Sequence, residues 1–333
     1  MVAGVSSVLL GAIDPHVRAI DGWRDGPAIA DLLELAFQDE GIDDNGQRMI
    51  HMLRRYGPLE AIIMEGTPGF VWVEGGQVLG NASVQYNPAR RGTWIVGNVA
   101  THPAHRNQGI GSALISSVIR YARSRGARTL ALQVVEGNTP AVRLYEKFGF
   151  QPLGAVTYYQ RPPVRVQAPW HDLAASGAVS TGAVKVHTAN WANREAVWHV
   201  ARLNIPDDLT YSDPFDASTY RLGLRWSMTN WLGGNREHWW VTETGGAAAA
   251  VTGALRVRIN FDLSQHNVEL LLNEQAPIEH GLVLLERGLR YLQTCIDKPL
   301  LATQSRPHGP SHEALQAAGF IPMRTLIHMK LEI

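Results

Sequence analysis

The chain has almost no cysteine and no excess of either charge, and each lack removes a class of function. Its single thiol, Cys295, excludes an internal disulfide and fits a reducing, cytoplasmic setting. It falls on an apparent helix and reads as a structural thiol, not a nucleophile. Thirty basic and thirty acidic residues cancel, which leaves no general basic field to hold a nucleic acid. No apolar run approaches the roughly 20 residues of a membrane helix. Residues 5–13 are apolar but carry no basic leader and no cleavage site, so no signal peptide is expected. His308 and His312 are four apart, yet Gly309-Pro310 breaks the helical face between them and no glutamate follows as in H-E-x-x-H. No metal site is expected.

What is there is ample apolar material. Of 333 residues, 45% are hydrophobic and 18% charged, enough for about two domains with their own cores. The chain is organised around His102-Pro-Ala-His-Arg-Asn-Gln-Gly-Ile-Gly-Ser112. An alternating apolar run at 94–100 predicts a strand before it. Behind it, 112–125 predicts a helix with Leu114, Val118, Tyr121 and Ala122 at spacings of three and four, ended by Gly126. The loop therefore joins a strand to a helix N-terminus, where Gly109 and Gly111 allow close backbone approach. Free amides, the positive end of the helix dipole and Arg106 together make a seat for phosphate oxygens.

The glycine spacing excludes two common phosphate loops. A P-loop needs Lys-Ser/Thr after its last glycine, and Ser112-Ala113 follows Gly111; the three glycines of G-x-G-x-x-G are absent. The pattern present, Arg106-x-x-Gly109-x-Gly111 after Val99-x-Thr101-x-Pro103, resembles the pyrophosphate loop of the GNAT superfamily of N-acetyltransferases. A second segment agrees with it. After a β-rich run at 129–135 comes Asn138-x-x-Ala141-x-x-Leu144-Tyr145-x-x-x-Gly149-Phe150, similar to the family's N-x-x-A-x-x-L-Y-x-x-x-G-F.

The remaining first half fits that resemblance. Residues 17–20 predict a strand, and Asp25-Gly-Pro27 opens a helix with Ile29, Leu32, Leu33 and Ala36 on one face. An acidic loop and a helix at 47–55 follow. Two strands then form a hairpin through Gly75-Gly76, and 154–160 closes the unit as a strand. The order β-α-α-β-β-β-α-β-α-β implies an α+β fold with a mixed sheet.

A Pro-, Ala-, Ser- and Gly-rich linker at 163–182 separates a domain at 1–162 from one at 183–333. Shifted by 170 residues, the two halves run in register without gaps for some forty residues. Gly111 meets Gly281, Leu114 meets Leu284, Arg120-Tyr121 meets Arg290-Tyr291, Pro140 meets Pro310, and Gly149-Phe150 meets Gly319-Phe320. This is an internal duplication, and the chain resembles tandem GNAT proteins of the mycothiol-synthase type. In the second copy Ala276, Glu279 and Leu315 stand opposite Arg106, Gly109 and Tyr145, and Pro277 interrupts the loop. A carboxylate repels a diphosphate and leucine donates no proton, so the second copy is expected to be degenerate, serving to pack, to shape the site or to form a homodimer. Its tryptophans at 191, 198, 226, 231, 239 and 240 either line a pocket or fill a core.

The resemblance implies a site. Two neighbouring strands splay apart, and the pantetheine arm of acetyl-CoA lies along Val99, Ala100 and Thr101, one of whose amides polarises the thioester oxygen. Arg106, Asn107, Gln108, Gly109, Ile110, Gly111 and Ser112 hold the diphosphate, and Asn138 fixes the arm from the other side. Tyr145 matches the family's general acid, the alternative being a tyrosine that only packs. The base is open: Gly97 and Asn98 stand where many relatives carry glutamate, and Glu136 either contributes or caps a helix. His102 and His105 are expected on the solvent side of the loop. The function implied is acetyl-CoA-dependent acetylation of a primary amine. Acidic residues Asp39, Glu40, Asp43, Asp44, Asp207, Asp208, Asp213 and Asp216 favour a small cationic acceptor if their loops line the mouth. The competing functions are a non-catalytic acyl-CoA-binding sensor and a protein N-terminal or lysine acetyltransferase.

Overall fold

The computed structural model describes residues 14–38, 68–164, 184–211, 220, 222, 237–243, 250–261, 264–305 and 309–333. The apolar segment at 5–13, the acidic loop at 39–44, the helix expected at 47–55, nearly all of the linker, Asp213, Asp216, Trp226, Trp231 and His308 lie outside the described residues. The chain divides into two compact α+β units. One takes Met1–Leu153, Tyr211–Pro214 and Ile327–Ile333; the other takes Gly154–Thr210 and Phe215–Leu326.

The first unit runs β1 (Val17–Ala19), α1 (Gly22–Ala36), β2 (Gly69–Glu74), β3 (Gln77–Tyr86), β4 (Thr93–Thr101), α2 (Ile110–Ser124), β5 (Thr129–Val135) and α3 (Thr139–Lys147). Its strands lie in the order β1-β2-β3-β4-β5, antiparallel except for β4 with β5. The β2–β3 hairpin turns on Gly75 and Gly76, both left-handed at φ 57° and 81°, which side chains with a Cβ resist. Helix α1 starts three residues before the expected Asp25. Asp21 caps it, accepting from the Arg24 amide at 3.3 Å, while Asp25 reaches back to the Asp21 amide at 2.8 Å. Asp25 also takes a two-pronged bond from Arg18 at 2.6 and 2.7 Å. Burial alone would push the Asp25 carboxyl up; the bonds from Arg18 and from the Asp21 amide outweigh it and hold the group below its ordinary value.

Helix α2 buries Leu114, Ile115, Val118 and Ile119 completely, each worth about 1.5–3 kcal/mol. A Cβ on Gly80 of β3 would lie 2.5 Å from Ile110 Cγ2 and 2.9 Å from Leu114 Cδ1. The missing side chain thus lets the N-terminal turn of α2 ride directly on the sheet, and this fixes where the glycine loop ends.

The second unit runs β6 (Gln151–Arg161), β7 (Lys185–Thr188), α4 (Arg194–Asn204), β8 (Glu237–Glu243), β9 (Val251–Arg258), β10 (His266–Leu272), α5 (Ile278–Leu292), β11 (Leu300–Gln304), α6 (Pro310–Ala317) and β12 (Ile321–Glu332). Its strands lie β7-β8-β9-β10-β11-β6. The elements repeat those of the first unit near the 170-residue offset, with β10 and β11 parallel as β4 and β5 are. The duplication read from isolated matches is therefore a duplication of fold.

One strand is not where the sequence puts it. The expected closing strand of the first unit is present as β6, but from Gly154 onward it belongs to the second unit and pairs antiparallel with β11, from Thr157↔Gln304 to Arg161↔Leu300. The first unit is closed by the end of the chain instead. Thr129 Oγ1 donates to Glu332 Oε2 at 3.0 Å, the Ile333 amide donates to Arg128 O at 2.8 Å, and Met329 and Leu331 are buried in its core. The two final strands follow the same Gly-Phe-x-Pro sequence, Gly149 to Pro152 and Gly319 to Pro322, so local pattern does not decide which unit each one joins.

Trp239 and Trp240 are core residues, Trp198 packs against the core beneath α4, and Trp191 is exposed with the Arg194 guanidinium 4.1 Å from its ring centre. Core packing accounts for the first three. Cys295 lies beyond the end of α5 rather than on it, half-buried, with its thiol 3.7 Å from Tyr291 O. Among the described residues no helix is long and apolar enough to cross a membrane, and no cluster of His, Cys, Asp or Glu is arranged to hold a metal.

Candidate functional site

Strand β4 is where the first unit departs from a regular sheet. It pairs with β5 only from Thr93↔Thr129 to Ile95↔Ala131, although the two strands run on to Thr101 and Val135. On its other side the register with β3 shifts, with Ser83↔Gly97 on one side of the irregularity and Asn81↔Ala100 on the other. Asn98 takes φ 52° there, a left-handed conformation that asparagine tolerates better than most residues. The bulge turns β4 away from β5 and leaves Val99, Ala100 and Thr101 beyond the last paired residues.

Side chains pin the bulge. Asn81 Nδ2 donates to Asn98 O at 2.8 Å, Asn98 Nδ2 donates to Ser83 Oγ at 3.1 Å, and Ser83 Oγ donates to Gly97 O at 2.9 Å. Gly97 and Asn98, which stand at the expected position of a base, therefore serve the backbone geometry. Sequence reasoning missed Asn81 and Ser83. The signal available was two polar residues at a spacing of two inside the otherwise small and apolar β3 run 78–84.

From Thr101 the chain passes through a short 3-10 turn at Pro103–His105, capped by His102, whose Nδ1 accepts from the Ala104 amide at 3.3 Å. The loop then reaches α2 through two left-handed residues, Asn107 at φ 64° and Gly109 at φ 87°, the latter acting as N-cap. Nothing lies within 4 Å of where a Gly109 Cβ would sit, so the bare backbone there faces open space. The Ile110, Gly111 and Ser112 amides fall in the first turn, where an α-helix offers no internal acceptor. Asn107 and Gln108 are exposed. Arg106 donates from Nη2 to Ala36 O at 3.3 Å, tying the loop to the end of α1. At Gly111 a Cβ would come within 3.0 Å of Leu144 Cδ2 and 4.0 Å of Thr101 Oγ1, so this glycine brings the loop, the end of β4 and α3 together.

Helix α3 is capped by Asn138, whose Oδ1 accepts from the Ala141 amide at 3.2 Å; capping thus belongs to Asn138 and not to exposed Glu136. Tyr145 is 5% exposed, with its ring edge-on to Phe150 at 5.8 Å. Thr101 at the end of β4, Leu144 of α3 and the end of the glycine loop thus meet at Gly111, while Asp207 and Asp208 lie in the second unit.

The arrangement fits an extended ligand carrying a diphosphate: an opening between two strands, unpaired helix-terminal amides and a cradle that any Cβ at Gly109 would enter. The matching region of the second unit differs at each of these points. Strand β10 keeps an unshifted register with β9 from Asn267↔Arg258 to Leu272↔Gly253. Gln304 Nε2 donates to Leu270 O at 2.8 Å, spanning the gap beyond the last β10–β11 pair, Val268↔Ala302. Pro277, at φ −57°, serves as N-cap of α5 instead of breaking the loop, and Ala276 and Leu315 are buried in the core. His280, in the first turn of α5, bonds Thr252 Oγ1 through Nδ1 at 2.5 Å, and burial lowers its pKa.

Residues 28–150 match the acetyltransferase (GNAT) family. Mycothiol acetyltransferase of Corynebacterium glutamicum is 34% identical over 93 residues, covering 28% of this chain and 30% of that one. Streptothricin acetyltransferase of Streptomyces lavendulae is 36% identical over 75 residues, 22% of this chain and 39% of that one. Ribosomal protein bS18-alanine N-acetyltransferase of Escherichia coli is 42% identical over 53 residues, 16% and 36%. The chain thus spans well under half the length of these relatives. In fold, it is similar over 95% of its length to 98% of a tandem GNAT protein from the clavulanic acid biosynthesis pathway, with TM-score 0.53 and 18% identity. A GCN5-related N-acetyltransferase from Sphaerobacter thermophilus aligns over 96% of this chain and 97% of its own, with TM-score 0.60 and 15% identity. The segment that carries the splayed strands and the glycine loop thus matches the GNAT family of acetyltransferases over residues 28–150, and the chain as a whole has the fold of a tandem GNAT protein.

Proposed function

We propose that the first unit is an acetyl-CoA-dependent N-acetyltransferase acting on a primary amine, and that the second unit binds no coenzyme. The observation that carries this is the conjunction at Gly111, where the opened edge of β4, the bare N-terminus of α2 and the helix bearing Tyr145 meet. Acetyl-CoA supplies an activated acyl group as a thioester. In this reading Val99, Ala100 and Thr101 offer main-chain groups to the arm, one amide polarising the thioester oxygen. The amides from Asn107 to Ser112 hold the diphosphate, with Arg106 fixing the loop that presents them. Asn138, by starting α3, sets the position of Tyr145, and the Tyr145 phenol protonates the departing sulfur.

The acceptor proposed is a small cationic amine. The names of the mycothiol and streptothricin relatives favour small acceptors. A protein N-terminus is the second reading, favoured by the relative that acts on a ribosomal protein alanine. The test is an acetyl-CoA titration of the full chain followed by a panel of polyamines, basic amino-acid derivatives and peptides, reading free thiol. Binding with thiol release on small cationic amines supports the proposal; release with peptides alone shifts it to the second reading. Binding with no release on any amine leaves a sensor.

A further inference from the structure

Asn81 holds a buried acceptor with nothing to accept. The residue is 1% exposed, and its Oδ1 has no hydrogen-bond partner among the described residues. The amide cannot turn to hide this, because Nδ2 is committed to Asn98 O at 2.8 Å. An unmet buried acceptor costs about 1–3 kcal/mol, and replacing Asn81 by an apolar residue would remove that cost. Its place in the sheet is specific. In register, Asn81 lies between Val71 on β2 and Ala100 on β4, and in-register neighbours share a face. Val71 and Ala100 are both packed with Ile29 and Leu33 of α1, so Asn81 is on the α1 face, one strand from the segment 99–101 and directly against the bulge.

We propose that Asn81 Oδ1 accepts an N–H of the acceptor amine and so aims its lone pair at the thioester carbon. This rests on the acetyltransferase reading above. A neutral primary amine has two N–H bonds and one lone pair, so an acceptor fixed on one N–H restricts where the lone pair points. In the step, the nitrogen forms a bond to the carbonyl carbon, the carbon–sulfur bond breaks and the sulfur takes the Tyr145 proton. The proton shed by nitrogen leaves through solvent and restores the phenol. Asn81 takes no proton and acts by orientation. Its Nδ2 bond to Asn98 O holds it still, and Asn98 is itself tied through Nδ2 to Ser83 Oγ, which donates to Gly97 O.

Two variants of similar size separate this role from a merely structural one. Asn81→Asp and Asn81→Leu both lose the Nδ2 bond to Asn98, but only the aspartate keeps an acceptor. With an amine that the wild type acetylates, the leucine variant should lose about tenfold to a hundredfold more in kcat/KM for the amine than the aspartate variant, while the two variants, which both lack the bond to Asn98, bind acetyl-CoA alike. Asn81→Ala repeats the test should the leucine variant not fold. Equal losses in the aspartate and leucine variants, or a parallel fall in acetyl-CoA affinity, would mean that Asn81 only braces the bulge. A wild type that binds acetyl-CoA yet acetylates no amine overturns the acetyltransferase reading, and this assignment with it.

Discussion

The two repeats share an order of elements and differ most where β4 and β10 pass their parallel neighbours. In the first, a left-handed Asn98 opens the edge of β4 and a left-handed Gly109 starts α2 on bare backbone. In the second, β10 runs without a register shift, Gln304 spans the gap to Leu270, and α5 starts on Pro277. Both keep a glycine near the start of the helix, and its neighbours are equivalent. A Cβ on Gly281 would lie 2.7 Å from Ala314 Cβ on α6 and 2.8 Å from Leu272 Cδ1 at the end of β10, as one on Gly111 would lie 3.0 Å from Leu144 Cδ2 on α3 and 4.0 Å from Thr101 Oγ1 at the end of β4. A duplicated fold retains its packing glycines where the residues at the proposed ligand site differ, which is why motif matches alone overstate the likeness of the two regions.

The largest effect is expected at Tyr145, whose counterpart at the 170-residue offset is Leu315. Tyr145→Phe should lower turnover by a factor on the order of 10²–10⁴ while acetyl-CoA affinity stays within a few fold. Undiminished thiol release would show that the ring only packs against Phe150. Gly109→Glu copies Glu279 into the first repeat. It forces a Cβ into φ 87° and sets a carboxylate where the diphosphate is expected, so coenzyme A affinity should fall by at least about a hundredfold. Calorimetry on the folded variant checks it, and unchanged affinity would move the diphosphate elsewhere.

A smaller effect is expected from making the second repeat resemble the first. Gln304→Val installs the residue type of Val134, its counterpart at the 170-residue offset. The Gln304 side chain is buried and donates to Leu270 O, so its removal should destabilise the protein by about 1–3 kcal/mol in urea unfolding. It should create no second coenzyme site, because Pro277, Ala276 and Leu315 remain. A variant as stable as the wild type would show that Gln304 does not seal that gap.

Much of the first unit was legible in its sequence because periodicity and glycines speak locally. The strand at 129–135 falls where its β-rich run does, α2 stops at Ser124 just before left-handed Gly126 at φ 75°, and the Gly75-Gly76 hairpin forms as read. The loop and the Tyr145 segment were legible as motifs, and the structure adds that they converge on Gly111. What was not legible depends on distant partners. Asp25 looked like a helix start until Arg18 and Asp21 were seen to claim its carboxylate. Neither the bulge at Asn98 nor its clamp by Asn81 and Ser83 leaves a signature within β4, since each bond comes from β3 or returns to it. The exchange of β6 against the end of β12 was hidden by duplication itself, because both strands follow the same Gly-Phe-x-Pro sequence.

The central claim is that one repeat receives coenzyme A and the other does not. Isothermal titration of the full chain with coenzyme A tests it directly. About one site per chain is expected, lost in Gly109→Glu. About two equivalent sites, or one that survives Gly109→Glu, would contradict the claim.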